Sequence, residues 1–345
     1  MALISVVLPV YNSEQFLSEA VESILAQTFQ DWELLAVCEP DSNDSSDKVL
    51  AKYAQKDNRI HVISNTQRLG LAASLNVGIR LANGEFIARM DSDDISLPNR
   101  FSVELNYMQN HPETSIVGCN AKFIGNSGKY IGHTDSYEAT AEQLKSDLMF
   151  WCNVRHPTAF FRKSDIYKYD LFYDENYPLA EDFELWTRGC HKARIENIPD
   201  ILLLYRWRVE SQTHANEQRG AEIHQKIMRR SFEAMGIDFS NAEIRYLCPL
   251  FDMPLTKEAR KILTVAANRI IAANQECKLY EETALDNTLR HVLYWKWYRF
   301  RCLLVTALQR AGASNTTLRS TARYLQRFGV GSTIKRGIRT ILERK

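Results

Sequence analysis

Three acidic side chains within four positions are the residues of this sequence whose type and spacing most clearly indicate chemistry. Asp91, Asp93 and Asp94 follow directly on the largely apolar run 86–90, which is typical of a buried strand. Carboxylates this close are costly to ionise together unless a cation or solvent separates them. Open α/β sheets bind ligands at the carboxyl ends of their strands. The sequence therefore predicts a cation or ligand site here, with a solvated acidic turn as the alternative.

Alternating strand and helix patterns surround these acids and predict the sheet that positions them. Apolar strand patterns cover residues 3–10, 32–38, 60–64 and 85–90, and helical patterns cover 16–25, 46–57 and 71–81. Such alternation with short polar connections predicts parallel crossovers and a doubly wound sheet. Beyond the acids, the patterns predict strands at 116–124, 159–162 and 201–206, helices at 98–110, 141–150 and 180–190, and an exposed loop at 125–140.

The sequence predicts two domains of different character. Strand patterns stop near residue 217, and helical periodicity continues from there. We therefore expect an α/β catalytic domain at 1–220 and a basic helical extension at 221–345. Residues 286–345 carry 13 Lys and Arg against 2 acids, which leaves a net charge of −10 for the rest of the chain. A basic tail on an acidic body predicts an anionic partner.

The basic tail has the composition of a membrane-interface segment. Aromatic and basic side chains interleave at 291–304, and the segment 334–342 is amphipathic and cationic, as in helices that lie on anionic lipid. The alternative is a helical domain that packs its aromatics on the catalytic domain and leaves a solvated basic face. No nucleic-acid reading motif accompanies the charge, so the sequence argues against a nucleic-acid partner.

Cysteine usage and hydropathy predict a cytoplasmic protein. The seven cysteines are scattered and form no C-x-x-C pair, which indicates reduced thiols and not disulfides or a zinc site. The amino terminus lacks the basic region and the cleavage site of a signal peptide. No window approaches the roughly 20 apolar residues that span a bilayer. Attachment through the tail would make the protein peripheral on the inner face of the cell membrane.

A series of sequence blocks, in order over residues 3–210, resembles family 2 glycosyltransferases. The blocks are SVVLPVYN (5–12), ILAQTF (24–29), GLAASLNVGI (70–79), NGEFIARMDSDD (83–94), HPT (156–158) and EDFELW (181–186). This resemblance implies a GT-A fold, a mixed sheet with a Rossmann-like nucleotide-binding half. It also implies a nucleotide-sugar donor, Mn²⁺ or Mg²⁺ as cofactor, and transfer with inversion. The Q-x-x-R-W motif of processive synthases is absent, which favours addition of a single sugar.

The resemblance also assigns roles to individual residues. Asp93 would ligate the metal, Asp91 would bind the ribose or metal-bound water, and Asp182 would be the base that takes the acceptor proton. The residues expected to bind the nucleotide sugar are Pro9, Tyr11, Glu39, Arg68, Asp91 and Ser92, and those expected on the acceptor side are His156 and Glu181. Arg208 replaces a histidine that the family often directs toward the metal, and it could bind the diphosphate directly. Each has a structural alternative: Glu181 or Asp182 could cap a helix, and His156 could be a buried structural histidine.

One loop departs from the family pattern. Residues 38–42 have the sequence CEPDS, where the family usually has Asp-Asp-Gly-Ser, with one Asp binding the nucleobase. Glu39 retains a carboxylate there, and a UDP-sugar is the expected donor. The expected acceptor is a glycan, lipid-linked, in surface polysaccharide biosynthesis. The alternatives are a protein or small-molecule acceptor, or an inactive nucleotide-sugar-binding or scaffold protein, which the altered loop motivates.

Overall fold

The computed structural model describes residues 2–208, 216–250 and 256–293. Its strands are β1 Ile4–Val10, β2 Trp32–Cys38, β3 Ile60–Ser64, β4 Phe86–Arg89, β5 Ile95–Ser96, β6 Thr114–Ile124, β7 Tyr130–Thr134, β8 Phe160–Arg162 and β9 Arg194–Arg206. The first seven helices are α1 Glu14–Leu25, α2 Ser46–Ala54, α3 Leu71–Leu81, α4 Arg100–Asn110, α5 Ala141–Asp147, α6 Lys163–Tyr169 and α7 Glu181–Gly189. They are followed by α8 Glu217–Glu233, α9 Asn241–Leu247, α10 Lys257–Cys277 and α11, described over residues 282–293.

The strands form one mixed sheet in the order β3-β2-β1-β4-β8-β6-β9-β5, with β7 paired to β6. β1, β2, β3 and β4 are parallel to one another. β8 is antiparallel to β4 and β6, and β9 is parallel to β6. The carboxyl ends of β1, β2, β4 and β9 therefore share one edge of the sheet. This arrangement confirms the predicted doubly wound mixed α/β sheet.

The sequence patterns indicate neither β5 nor α6, and two other strands differ from the expectation in place or extent. The loop expected at 125–140 contains strand β7, whose residues are mostly exposed. An exposed edge strand has no buried face, so it lacks the alternation that would reveal it. The strand expected at 201–206 begins at Arg194, because Glu196 and Asn197 are buried through hydrogen bonds and not through apolar contacts. Both strands therefore lack the apolar alternation by which periodicity detects a half-buried strand.

The central strands are apolar on both faces because a hydrophobic core covers each side of the sheet. Val6 and Leu8 of β1 pack into one core with α1 and α4. Val7 faces the other core, which includes residues of α3 and α7. Alternate residues of a strand point to opposite faces, so a strand buried on both sides has a continuous apolar run.

The described C-terminal helices pack on the α/β part of the chain. Residues of α8, α9, α10 and α11 belong to the same core as α3 and α7. The division into a catalytic domain and an extension near residue 220 stays a prediction. The tail at 294–345, with its expected membrane contact, lies outside the described residues. Among the residues that the structure describes, no helix is long and apolar enough to cross a membrane.

Candidate active site

The acid cluster lies at the sheet edge where four parallel strands end. Asp91, Asp93 and Asp94 occupy the turn between β4 and β5, and their carboxylate oxygens lie within 4.8 Å of one another. Three carboxylates at this distance form a donor set of hard oxygen ligands, which suits Mg²⁺ or Mn²⁺. The cluster predicted from the sequence is therefore present as a compact group whose chemistry fits a divalent metal.

Asp94 is the deepest acid of the cluster and fixes the turn to the end of β9. Its side chain is buried, and Oδ1 accepts the Arg206 backbone N–H at 2.7 Å. The Arg206 Nε atom donates to the Asp93 carbonyl oxygen at 2.7 Å. Burial raises the pKa of Asp94 well above its usual value, and the neighbouring charge of Asp93 adds to this effect. These contacts set the backbone geometry of the cluster.

Asp91 and Asp93 each pair with an arginine. Arg89, buried at the end of β4, places Nη1 at 2.7 Å from Asp91 Oδ2. Arg208, just after β9, places Nε at 3.1 Å from Asp93 Oδ2. Burial and the charge of Asp91 raise the pKa of Asp93 to about 6, although Arg208 opposes this rise. The structure thus brings Arg208 to the acids although more than 110 residues separate them in the chain.

The nucleoside side of the predicted site is also assembled. Arg68 lies over the Tyr11 ring at 4.6 Å, and its Nη1 atom contacts Tyr11 Oη at 3.2 Å and Asp41 Oδ2 at 2.8 Å. Ser92 Oγ lies 2.6 Å from Ser13 Oγ, which ties the acid turn to the start of α1. Pro9 lies one residue before the end of β1, two residues from Tyr11. Their contacts with a nucleotide stay predictions.

Glu39 makes contacts that the sequence did not indicate. Its carboxylate accepts the backbone N–H of Leu69 at 3.0 Å and of Gly70 at 2.7 Å, and the Ser74 hydroxyl at 2.8 Å. Gly70 has a φ of +84° and precedes α3 without a capping side chain of its own. Glu39, the residue after β2, supplies the missing acceptor. A glycine immediately before a helix is the one signal of this role, and the expected nucleobase contact stays a prediction.

The second carboxylate pair lies on the first turn of α7. Asp182 Oδ1 accepts the Phe183 N–H at 2.7 Å, and Oδ2 lies 3.6 Å from the Cys152 thiol. Ala180 occupies the N-cap position without a side-chain cap, so neither Glu181 nor Asp182 is the N-cap residue. Burial raises the pKa of Asp182, and the charge of Arg89 opposes this rise. Asp182 is therefore a partly buried carboxylate near a cation.

Glu181 faces a buried histidine. Burial and the charge of Asp182 raise the pKa of Glu181 to about 7. His156 Nδ1 lies 3.8 Å from Glu181 Oε1, and its Nε2 lies 2.9 Å from the Tyr173 hydroxyl. Burial lowers the pKa of His156 well below its usual value, with a further contribution from Arg89, so the ring is neutral at pH 7. His156 is thus a buried neutral histidine beside Glu181, and the place of both residues on the acceptor side stays a prediction.

Arg89 connects the two acidic groups. It pairs with Asp91, and its charge partly opposes the rise that burial causes in the pKa of Glu181 and Asp182. A single arginine in an apolar strand immediately before the acids is the sequence signal for this residue. Cys152, which contacts Asp182, has no comparable signal, because nothing in its local sequence places it near α7.

Comparison with known proteins identifies the class and then the family. One solved structure with this fold is the crystal structure of S. aureus TarS residues 1–349 in complex with UDP-GlcNAc, at a TM-score of 0.57 and 19% identity over 91% of this chain and 93% of that one. Another is the mannosyltransferase PcManGT from Pyrobaculum calidifontis in complex with GDP-Man and Mn²⁺, at a TM-score of 0.54 and 16% identity over 86% of each chain. The fold is therefore that of GT-A glycosyltransferases, as expected.

Sequence relatives give the family. The model for glycosyl transferase family 2 matches residues 5–169. One relative is WfgD of Escherichia coli, which is 34% identical over 264 residues, 74% of this chain and 95% of WfgD. Its printed name is UDP-Glc:alpha-D-GlcNAc-diphosphoundecaprenol beta-1,3-glucosyltransferase. Another is the glycosyltransferase GlyG of Streptococcus pneumoniae serotype 4, which is 32% identical over 279 residues, 75% of this chain and 90% of GlyG. The chain belongs to glycosyltransferase family 2 and is a glycosyltransferase.

Proposed function

We propose that this enzyme is an inverting, metal-dependent glycosyltransferase that moves a sugar from a nucleoside-diphosphate sugar to a glycan acceptor. The observation that carries the proposal is the placement of two acidic groups around one buried arginine. Arg89 pairs with Asp91 of the acid cluster, and its charge opposes the rise that burial causes in the pKa of Glu181 and Asp182. Such an arrangement provides a diphosphate end and a proton-accepting end for one reaction.

The diphosphate end consists of Asp91, Asp93 and Arg208. Asp93 and Asp91 would hold the divalent ion, which would offset the negative charge that develops on the leaving diphosphate. Arg208 pairs with the Asp93 carboxylate at 3.1 Å, and its planar guanidinium suits a phosphate oxygen. Tyr11 and Arg68 form the adjoining surface for the nucleoside.

Asp182 is proposed as the base that takes the proton of the acceptor hydroxyl. Inversion requires a carboxylate on the face of the sugar opposite the leaving group. Burial raises the pKa of Asp182, which makes it a stronger base than a solvated carboxylate once it has lost its proton. Phe183 N–H holds one carboxylate oxygen, so the other is the oxygen that faces the acceptor.

For the substrates, we propose a UDP-sugar donor and a lipid-linked glycan acceptor in surface polysaccharide biosynthesis. The support comes from two relatives. The name of WfgD specifies UDP-Glc and a diphosphoundecaprenol acceptor. The E. coli O-antigen biosynthesis glycosyltransferase WbnJ is 31% identical over 208 residues. The basic tail at 286–345 would hold the enzyme at the anionic membrane surface that carries such an acceptor.

Two experiments test this function. Hydrolysis and transfer are measured with UDP-glucose, UDP-galactose, UDP-GlcNAc and GDP-mannose plus Mn²⁺. Asp182→Asn should abolish transfer and leave the calorimetric affinity for UDP unchanged, because the residue lies outside the diphosphate end. If the wild-type protein binds none of UDP, GDP and TDP in the presence of Mn²⁺, the result favours the scaffold alternative over the proposed enzyme. If it transfers to a soluble glycoside or a peptide better than to a lipid-linked glycan, the proposed acceptor is wrong.

A further inference from the structure

The carboxylate of Asp182 has a second restraint that the proposed mechanism does not use. Oδ1 accepts the Phe183 N–H, while Oδ2 lies 3.6 Å from the Sγ atom of Cys152. The same thiol lies 3.4 Å from the Val154 carbonyl oxygen, so its one proton serves two acceptors. A thiol is a weak donor. It can therefore orient Oδ2 without strongly reducing the affinity of that oxygen for a proton.

Cys152 belongs to a segment that the structure holds from both ends. We define residues 147–154 as the support segment. At its start, Asp147 is buried and accepts hydrogen bonds from the hydroxyls of Tyr137 at 2.8 Å and Thr288 at 2.6 Å. The Asn153 side chain donates to the same carboxylate at 3.3 Å. Asp147 thus connects the two sides of Cys152 with α11, which carries Thr288.

Helix α8 holds the middle of the support segment together with the start of α7. His224 Nε2 lies 2.7 Å from the Phe150 carbonyl oxygen, and its ring stacks on Phe183 at 4.0 Å. Burial lowers the pKa of His224 to about 4, so the ring is neutral and Nε2 can donate its proton to the carbonyl. One histidine therefore fixes both the segment that carries Cys152 and the residue next to Asp182.

We propose that Cys152 is a positioning residue that orients the Asp182 carboxylate toward the acceptor, and that α8 and α11 hold it in place for this task. The inference rests on the proposed role of Asp182 as the base. It gives the C-terminal helices a part in catalysis, since their contacts with the support segment determine where the thiol lies. Burial raises the pKa of Cys152 well above its usual value, so the thiol stays protonated and acts as a donor.

The test compares Cys152→Ala with Cys152→Ser in hydrolysis of the best donor among UDP-glucose, UDP-galactose and UDP-GlcNAc. Cys152→Ala should lower kcat about tenfold, as expected for loss of a hydrogen bond to a charged group, with KM for the donor unchanged. Cys152→Ser restores a donor and should recover part of kcat. The matched control is Cys190→Ala, because that thiol donates to Thr187 within the far end of α7.

The pH profile separates positioning from packing. Charged and titratable groups that act on Asp182 are Arg89 on β4, Tyr173 before α7, Glu181 beside it, and Cys152. The thiol favours the charged carboxylate, so Cys152→Ala should move the acid limb of kcat/KM to higher pH, and Cys152→Ser should move it less. If both variants lose activity equally with an unmoved acid limb, Cys152 only fills space and the inference is wrong.

The role of the C-terminal helices is tested with Thr288→Val, which removes the hydroxyl that contacts Asp147. It should lower kcat with unchanged donor KM, and its effect should not multiply with that of Cys152→Ala, because both act through the support segment. Independent, multiplicative effects would contradict the proposed connection. If Asp182→Asn retains full activity, the base assignment fails and the inference fails with it. If Asp182→Asn is inactive and Cys152→Ala is normal, only the inference fails.

Discussion

The acid cluster and a bound diphosphate would compete for the guanidinium of Arg208. Its guanidinium pairs with Asp93 at 3.1 Å and so would compete with a metal ion for that carboxylate. With a diphosphate present, the same guanidinium can move to the phosphate oxygens. Arg208→Gln, which removes the charge and keeps much of the size, should therefore strengthen binding of Mn²⁺ alone and weaken binding of UDP.

The size of both effects follows from the geometry of the pair. Opposite charges about 4 Å apart interact by about 4 kcal/mol at an effective dielectric constant of about 20. The side chains of Arg208 and Asp93 are 29% and 23% exposed, and solvent screening reduces this to about 1–2 kcal/mol. The expected change is thus about tenfold in each dissociation constant, in opposite directions.

The assay is calorimetry of Mn²⁺ without nucleotide, followed by calorimetry of UDP at saturating Mn²⁺. Arg80→Gln is the control, because Arg80 is an exposed arginine on α3 that contacts Phe172 and not the acids. Thermal unfolding checks that Arg208→Gln leaves the fold intact, since Arg208 also lies over the Phe16 ring at 5.7 Å. Equal weakening of both ligands, or no change in either, would refute the competition between Asp93 and phosphate for Arg208.

Three further predictions concern stability and pH. Glu39→Ala leaves two backbone N–H groups and a hydroxyl without their acceptor and should lower the free energy of unfolding by about 2–4 kcal/mol in urea titration; no loss would mean that water replaces the carboxylate. Gly78→Ala places a Cβ atom 2.5 Å from Val7 Cγ1, and this overpacking should cost about 1–3 kcal/mol in the same assay, unless Val7 changes rotamer. The acid limb of the kcat/KM profile should lie at a higher pH than the usual pKa of an aspartate. Burial raises the pKa of Asp182, and the base works only when it is deprotonated. An acid limb at the ordinary aspartate value would contradict the assignment of a buried base.

Most of the fold could be predicted from the sequence because the parallel half of the sheet is buried on both faces. β1, β2 and β4 are continuous apolar runs between polar turns, and their predicted bounds agree with the structure to within a residue. β7 and the first half of β9 could not be predicted, because their residues are exposed or satisfied by hydrogen bonds. Periodicity detects apolar burial and not backbone pairing.

The site divides in a similar way. Asp91, Asp93 and Asp94 are neighbours in sequence, so their cluster required only a strand that ends before them. Arg208 and Asp182 belong to distant segments, and the resemblance to a family, not local pattern, indicated their roles. The contacts of Glu39 with the start of α3 and of Cys152 with Asp182 were not predictable, because each joins segments about 30 residues apart through side chains.

The sequence by itself determined the mixed α/β sheet, the acid cluster at the end of β4 and the family to which the chain belongs, since these depend on local pattern and ordered motifs. Only the tertiary structure decided which cation Asp93 faces. Asp93 pairs with Arg208 because β4 and β9 are parallel and end at the same edge of the sheet, whereas Asp91 pairs with Arg89, two residues before it in the chain. The partners of Asp182 likewise depend on how α7 packs against the support segment and α8. Contacts between side chains from distant segments depend on how the strands and helices pack, which no local sequence pattern encodes.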